Sequence, residues 1–365
     1  MNTEALLSWF RANARPLPWR ERPDPYAVWL SEIMAQQTRI ETMLPYWRRF
    51  LERWPTVNDL AKAPLDDVLS AWSGLGYYTR ARNLHAGAQA LAERGFPSTA
   101  EGWMEIPGVG RYTAGAVASI AFNADEPLVD GNVERVLTRW HYITDDARAP
   151  ATQRRLWELA RAHLPPGRAG DWNQALMELG ATLCSPRRPS CERCPLRVGC
   201  GASRSGDAES LPNKPRKGES PEVRGVCGAW FVGGRVLLAR RPDEGLLGGL
   251  WELPGQDLTA DEAEPGALAA AFEARLGLKV APLARLGQVR HIFTHRKLTL
   301  GVWLVDGEGT PPERPLLGYT AARLVAPDEL GGLGLSTLAR RALELVGFGA
   351  QTALFAAQPS PEYKV

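Results

Sequence analysis

Residues 104–116, MEIPGVGRYTAGA, predict two helices joined by a tight turn. The turn is Pro107-Gly108-Val109-Gly110, and apolar residues recur at spacings of three and four in the segment that follows it. The two glycines, Gly108 and Gly110, allow the chain to turn sharply and let backbone N–H groups approach an anion at a helix start. Many helix pairs are joined by Gly and Pro, so this turn alone is also compatible with an ordinary connection.

The helical pattern extends from this hairpin in both directions over the first 200 residues, with Pro and Gly between the periodic segments. The predicted helices cover 4–12, 25–38, 41–53, 66–72, 79–93, 111–122, 132–142, 151–163 and 171–183. We therefore predict an all-α domain over residues 1–203.

The periodicity changes after this domain. Residues 201–222 are rich in Ser, Gly, Pro and charge, so we expect little structure there and interpret 204–222 as an interdomain linker. Beyond it, two strands flank Gly233-Gly234, and further segments predict a helix at 265–277, strands at 283–292 and 297–305, and a helix at 336–347. The fold class is thus multi-domain: an all-α domain, an α+β domain over 223–350, and a disordered tail over 351–365.

Four of the five cysteines fall within 17 residues, with the spacing C-x6-C-x2-C-x5-C. They are Cys184, Cys191, Cys194 and Cys200. Thiolates this close together can enclose one metal centre, and a disulfide framework is a poor alternative for a cytosolic chain. Structural zinc sites usually have two short Cys pairs separated by a longer loop, whereas only one such pair is present here. The spacing favours a [4Fe–4S] cluster, with zinc as its competitor.

Arginines are interleaved with these cysteines, at positions 187, 188, 193 and 197. They could contact phosphate groups, or they could compensate the charge of a thiolate-ligated centre.

Taken together, these features are specific. The PGVGR hairpin, Asp130 located 20 residues after Gly110, and the cysteine spacing resemble the helix-hairpin-helix DNA glycosylases that carry an iron–sulfur loop. Within that superfamily, WLSEIMAQQTRIE (29–41), GLGYYTRARNLH (74–85) and VDGNVERVL (129–137) resemble the MutY-type adenine DNA glycosylases. The resemblance covers residues 3 to about 200 almost continuously.

Cleavage of an N-glycosidic bond needs a proton for the leaving base and a negative charge near the oxocarbenium-like sugar. Glu32 lies on the predicted helix 25–38 between Val28 and Ala35, so an apolar environment could raise its pKa and make it an acid. Asp130 precedes a helix, where N–H groups would lower its pKa and keep it anionic. On these features alone, an exposed helical glutamate and a simple helix cap are the alternatives.

The resemblance implies roles for further residues. It implies that Glu32 protonates the adenine and later helps to activate water, and that Asp130 stabilises or transiently bonds the sugar C1′. Tyr112 and Asn132 match positions that support the two carboxylates. Arg15, Trp19 and Gln174 match positions that line the adenine pocket, and Gln37 and Tyr77 match residues that probe or wedge the duplex while the adenine is flipped out.

Lysine is scarce: the chain has six, and only Lys62 lies within residues 1–200. In endonuclease III-type relatives a nucleophilic lysine just after the hairpin forms a Schiff base, and here that position is Tyr112. Lys62 lies in the segment KAPLDD, which we interpret as a connection between helices. We therefore expect a monofunctional glycosylase that leaves an abasic site.

Residues from about 223 to 350 resemble a Nudix-like domain of the MutT type, through the hairpin and WELPGQ (251–256). The box that holds Mg²⁺ in active Nudix hydrolases would place Arg-Glu at 270–271 and a Glu pair at 274–275, where this chain has Ala270-Ala271 and Ala274-Arg275. Damaged-base recognition is therefore favoured over pyrophosphate hydrolysis. HIFTHRK (291–297) resembles the loop that contacts 8-oxoguanine, with Phe293, Thr294 and His295 at the recognition positions; Thr294 replaces the usual Ser of the family.

Composition limits the class of protein further. The net charge is +2, so a DNA-binding face would have to be local rather than a global field. Neither a signal peptide nor a membrane-spanning run is apparent in the sequence, and we expect a cytoplasmic monomer, in the bacterial cytosol or nucleoid. The expected partner is double-stranded DNA with an A:8-oxoguanine or A:G mispair. The alternatives are an endonuclease III-like glycosylase/lyase, a non-catalytic DNA-damage-binding protein and a nucleotide pyrophosphohydrolase.

Overall fold

The computed structural model describes residues 1–21, 23–215, 218–312 and 317–348. The chain divides into two compact units. The first consists of residues 1–62 and 83–217, and the second of Ala63–Arg82 and the chain from Gly218 onward. The tail predicted at 351–365 lies outside the described residues.

Helices form the part of the chain before residue 206, as the 3.6-residue periodicity predicts. In chain order they are α1 (Thr3–Asn13), α2 (Pro18–Glu21), α3 (Pro25–Ala35), α4 (Ile40–Arg53), α5 (Val57–Lys62), α6 (Leu65–Ala71), α7 (Thr79–Arg94), α8 (Ala100–Met104), α9 (Arg111–Phe122), α10 (Gly131–Trp140), α11 (Pro150–Ala162), α12 (Ala169–Thr182) and α13 (Gly201–Ser205). The central helices α3, α9 and α12 are largely buried, and they form the core that positions the site.

Local departures from the predicted pattern have simple causes. The predicted helix 25–38 ends at Ala35, and two residues later Gln37 has a φ of 56°, which is a left-handed conformation outside the helical region. Lys62 is the last residue of the short helix α5 rather than part of an irregular connection.

The stretch 201–222, for which we expected little structure, begins with α13 and a 3₁₀ turn at Ala208–Ser210. Leu211, which follows that turn, is buried, and its carbonyl accepts a hydrogen bond of 3.0 Å from Arg139 Nε. The expectation was wrong for this part of the stretch, because it docks on the first unit through backbone hydrogen bonds that composition does not reveal.

The second unit contains a mixed sheet and two covering helices, which confirms the predicted α+β class. The elements are β1 (Glu222–Val232), β2 (Arg235–Arg240), β3 (Trp251–Glu252), β4 (Gly255–Leu258), α14 (Glu264–Leu276), β5 (Val280–Ile292), β6 (Lys297–Gly307), β7 (Ala321–Val325) and α15 (Thr337–Leu345). The strand order is β3-β2-β1-β6-β5, with β4 pairing with β1 and β7 with β2. Strands β1 and β6 are parallel, and the other pairs are antiparallel.

Alternate residues of β1 face opposite sides of the sheet, as the period of two requires. Val226 and Trp230 belong to a core cluster with Phe272 of α14. Cys227 and Ala229 belong to a second cluster with residues of α15. The sheet is therefore covered on both faces.

Residues 63–82 lie between helices of the first predicted domain in sequence but pack in the second unit. Their side chains bond to backbone oxygens near the start of α15: Ser70 Oγ to Gly331 O at 2.6 Å, and Ser73 Oγ and Tyr78 OH to Leu335 O at 2.7 and 2.8 Å. Because these contacts join residues more than 250 positions apart, helical periodicity could not have predicted them.

In the part of the chain that the structure describes, no helix is both long and apolar enough to cross a membrane.

Candidate active site

Glu32 lies on α3, a helix that is buried on nearly every face. The Glu32 side chain is 7% exposed, and Tyr112 at the start of α9 donates a hydrogen bond of 2.6 Å from its hydroxyl to Oε2. Burial raises the pKa of Glu32 to about 7, and the nearby charge of Asp130 adds to the rise, while the Tyr112 hydrogen bond and Arg20 oppose it. At neutral pH this carboxyl is therefore present in both protonated and ionised forms.

Asp130 caps the N-terminus of α10. Its Oδ1 accepts hydrogen bonds from the backbone N–H groups of Asn132 and Val133 at 2.9 and 2.7 Å, and its Oδ2 accepts one from Asn132 Nδ2 at 2.8 Å. The predicted lowering of its pKa is wrong in direction: burial raises the pKa of Asp130 and outweighs these three donors. The donors nevertheless fix the orientation of the carboxylate.

Asn132 is itself held by neighbours on α10 and α12. Its Oδ1 accepts a hydrogen bond of 2.9 Å from Arg135 Nη2, and the same guanidinium donates to the carbonyls of Gly180 and Cys184, both at 2.7 Å. A side chain at Gly180 would put its Cβ 2.6 Å from Asn132 Cβ, so only glycine fits there. Hydrogen bonds thus connect the cysteine loop to Asp130 through Arg135 and Asn132.

A buried ion triad, which the sequence did not reveal, stands beside the carboxylates. Glu178 on α12 is fully buried, and it pairs with Arg15 at 2.7 Å and with Arg20 at 2.9 Å. Burial opposes ionisation of Glu178, but the two guanidiniums together outweigh it and lower the pKa of Glu178. Arg20 Nε also donates to Gln174 Oε1 at 3.2 Å. In the sequence, the one sign of this triad was the acidic Glu178 within the apolar pattern of residues 171–183.

These residues surround one cavity of about 890 Å³ in the first unit. Eight of the sequence-predicted site residues line it: Arg15, Trp19, Glu32, Gln37, Tyr112, Asp130, Asn132 and Gln174. Trp19 is buried in its wall, and its ring meets Trp47 edge-on at 5.4 Å between centroids. A cavity of this size is large enough for a nucleobase and its sugar.

The hairpin glycines differ from each other. Gly108 has a φ of +77°, and a Cβ there would lie 2.5 Å from Asn83 Cβ, so glycine is required. Gly110 caps α9 in an extended conformation with open space around it, which leaves the helix start accessible. Both glycines lie outside the residues that line the large cavity.

The four clustered cysteines line one small cavity next to Arg139. Arg139 is 2% exposed, and its Nη1 lies 3.3 Å from Cys184 Sγ and 2.8 Å from Ser185 O. Burial raises the pKa of the Cys194 thiol to about 11, and the other three thiols add to the rise. Sequence reasoning missed Arg139, whose position inside an amphipathic helix looked ordinary.

The remaining predicted residues meet in the second unit. Tyr77, Phe293, Thr294 and His295 line a cavity of about 330 Å³, and Tyr77 OH lies 3.1 Å from Thr294 Oγ1. Tyr77 has a φ of 49°, which is left-handed, as is the φ of Gln37 at 56°. Non-glycine residues hold such a conformation at a cost of roughly 1–3 kcal/mol each, and they cluster at functional sites. Both are residues for which the sequence resemblance predicts a duplex-probing role.

Two domain families match the chain. Residues 30–162 match the HhH-GPD superfamily of base excision DNA repair proteins, and residues 226–345 match the NUDIX domain. The chain is 38% identical to the adenine DNA glycosylase of Rattus norvegicus over 92% of its length and 76% of that protein, and 37% identical to that of Homo sapiens over 92% and 72%.

A solved structure supports the same fold for the helical part. It is a thermostable thymine-DNA glycosylase that aligns with a TM-score of 0.51 and 28% identity, covering 55% of this chain and 94% of that one. With both domains matched in order and curated relatives aligned over most of their length, the chain belongs to the MutY-type adenine DNA glycosylase family.

Proposed function

We propose that this DNA glycosylase hydrolyses the N-glycosidic bond of adenine paired with 8-oxoguanine or guanine and leaves an abasic site. One observation carries the proposal: the buried Glu32, with a pKa of about 7, shares a cavity with the oriented carboxylate of Asp130. A neutral carboxyl and a fixed carboxylate in one site meet the two demands of glycosidic cleavage.

In the proposed mechanism Glu32 donates its proton to the departing adenine, and Tyr112 keeps the carboxyl in one orientation. Asp130 faces the positive charge that develops on the sugar, because its oxygens are already held by the helix start and Asn132. After the base leaves, ionised Glu32 accepts a proton from the attacking water. Either direct attack or a transient Asp130–C1′ bond fits these roles.

The adenine pocket is proposed to lie at the Arg15 end of the cavity. Glu178 fixes Arg15 and Arg20, so their guanidiniums are oriented before any base arrives. Trp19 supplies an aromatic wall, and Gln174 supplies an amide that can donate and accept. A base enters such a pocket only when it is flipped out of the duplex, a step we assign to the strained Gln37 and Tyr77.

The cavity offers no amine for lyase chemistry among the residues that line it. Tyr112 occupies the position where related lyases have lysine, and its hydroxyl is engaged with Glu32. This supports a hydrolytic mechanism over the glycosylase/lyase alternative.

Recognition of the opposite base is proposed for the Nudix-like domain. Phe293 packs partly against the core, while Thr294 bonds to the Tyr77 hydroxyl. The added methyl of Thr294 therefore does not prevent its hydroxyl from reaching a polar partner. We propose that Thr294 and His295 contact the 8-oxoguanine.

Base release from three matched duplexes tests this function. Single-turnover rates for the central pairs A:8-oxoguanine, A:G and A:C should decrease in that order. Equal rates for all three would exclude opposite-base recognition, and absence of free adenine from every duplex would favour the damage-binding alternative.

A pH profile should reveal Glu32. Because the protonated carboxyl acts first, adenine release should be fastest below pH 7 and should fall as the pH rises through about 7. This pH dependence is measured from single-turnover rates of adenine release, taken at several pH values with the enzyme below saturation. A rate that stays flat between pH 5.5 and 8.5 would contradict the assigned role.

We also propose that the four cysteines hold a [4Fe–4S] cluster. The four thiols line one small cavity, so a single metal centre could be held between them. Their C-x6-C-x2-C-x5-C spacing has only one short Cys pair, which favours a polynuclear group over a single zinc ion. Such a cluster would cross-link the loop, with Arg139 donating toward Cys184.

The cluster is tested by metal content. Purified protein should contain iron and acid-labile sulfide in equal amounts, and Cys194→Ser should lose both because one ligand is missing. The buried Cys227 lies in the other unit, so Cys227→Ala is the matched control and should retain both. One zinc ion per chain without sulfide would refute the cluster.

Duplex DNA is the proposed partner. We propose that the protein contacts its phosphates through local clusters of arginine rather than through a surface that is basic throughout. The arginines of the cysteine loop, at 187, 188, 193 and 197, are exposed. Arg139 is the buried cation beside Cys184, and Arg197 lines the cysteine cavity and pairs with Glu192. The other three exposed arginines, at 187, 188 and 193, are therefore proposed to face phosphates. This favours phosphate contact over charge compensation for them.

A further inference from the structure

Ile292 is an unusually exposed apolar residue at the end of β5, with 78% of its surface accessible. Single exposed apolar residues are common on protein surfaces, so exposure alone indicates nothing. The surroundings of Ile292 carry the argument.

The turn that follows Ile292 is firmly held. Phe293 N donates to Arg296 O at 2.8 Å, and Arg296 packs over the Phe293 ring at 5.4 Å while pairing with Asp257. The His291 ring meets the Phe293 ring at 4.5 Å between centroids. Ile292 therefore projects from an anchored hairpin end.

Ile292 also lines the 330 Å³ cavity that contains Tyr77 and Thr294. Tyr77 is 49% exposed, so Ile292 and Tyr77 present two large side chains to solvent beside the exposed hydrogen bond between Tyr77 OH and Thr294 Oγ1. Apolar side chains that enter a duplex act as wedges between base steps and unstack them.

Cations flank Ile292 on the same hairpin. In the β5–β6 register Ile292 pairs with Lys297, and Arg290, two residues earlier on the same face of β5, is exposed as well. Glu222, the acidic neighbour of Lys297, lies 3.9 Å away and is 83% exposed, so that ion pair is weak. An apolar tip between cations suits a stacked base between phosphates.

We propose that Ile292 is a second wedge, which packs into the base stack next to the 8-oxoguanine on the strand that Thr294 contacts. This inference rests on the proposed function, since it assumes that the Nudix-like domain meets that strand. Ile292 acts there as a positioning residue: it opens the step beside the damaged base and does not touch the reacting atoms.

The test uses the full chain and a duplex with 2′-fluoro-2′-deoxyadenosine opposite 8-oxoguanine, whose sugar resists cleavage. A 2-aminopurine next to the 8-oxoguanine reports unstacking by its fluorescence. Ile292→Ala should weaken binding about tenfold and remove most of the fluorescence rise, whereas Ile292→Leu should restore both. Leu283→Ala, which alters another exposed residue of β5, is the control and should change neither.

The cleavable duplex separates this proposal from the proposed function. At saturating enzyme, Ile292→Ala should release adenine from A:8-oxoguanine at the wild-type rate. If wild-type protein releases adenine but Ile292→Ala keeps full affinity and fluorescence, the wedge is refuted and the proposed function stands. If the wild-type protein does not distinguish A:8-oxoguanine from A:C, both the wedge and the proposed opposite-base recognition are refuted.

Discussion

Glu32→Gln should slow adenine release by about 10³-fold while duplex binding persists, since a positioned general acid contributes roughly 10²–10⁴-fold. The glutamine amide keeps the shape of the side chain and can still bond to Tyr112, but it has no acidic proton. Burial gives the native carboxyl its pKa of about 7, so this proton is available at neutral pH. Single-turnover release and a binding titration on the same duplex measure the two quantities.

Glu52→Gln is the matched control, because Glu52 is an exposed glutamate on α4 of the same unit. It should leave both the rate and the affinity unchanged. Release by Glu32→Gln at the wild-type rate would remove Glu32 from the mechanism, whatever its pKa.

Asp130→Asn should reduce the release rate by roughly 10²–10³-fold, the range for losing one preorganised electrostatic group. The substitution removes the negative charge that faces the developing sugar cation. It should affect stability only modestly, because Asn caps helices about as well as Asp and its Oδ1 can still accept the two backbone N–H bonds. The bond from Asn132 Nδ2 is lost, since an amide nitrogen cannot accept it. Release rates combined with thermal unfolding test both parts of the prediction.

Asp24→Asn provides the comparison, because Asp24 caps α3 by accepting a hydrogen bond of 2.9 Å from Ala27 N. That variant should retain full activity with a similarly small change in stability. An Asp130→Asn protein that unfolds much earlier than Asp24→Asn would show that Asp130 is mainly structural.

The sequence allowed the secondary structure and many of the residues that line the candidate site to be predicted, for reasons that the structure makes clear. Helix and strand periods reflect which face is buried, so β5, β6, α14 and α15 appear within a few residues of the expected positions. Glu32, Tyr112, Asp130 and Asn132 belong to contiguous motifs, so resemblance assigned them, and the structure brings them to one cavity.

Contacts between residues distant in sequence could not be predicted. Arg15 and Glu178 are 163 positions apart, and neither belongs to a motif that names the other. Residues 63–82 look like a continuation of the helical domain but bond to the chain around Leu335. Burial raises the pKa of Asp130, and three hydrogen bonds from Asn132 and Val133 lower it. The hydrogen bonds come from residues next to Asp130 in sequence, whereas its burial is known only from the tertiary structure.

The central claim is that two carboxyl groups, Glu32 as the acid and Asp130 as the carboxylate, cleave the glycosidic bond by hydrolysis without an amine nucleophile. The most direct measurement incubates the full chain with an A:8-oxoguanine duplex, with and without borohydride, and follows free adenine and the integrity of the strand. We predict one adenine released per site, a strand that breaks only after alkali, and no borohydride-stable adduct. A covalent protein–DNA adduct through a lysine, or strand cleavage without alkali, would contradict the account.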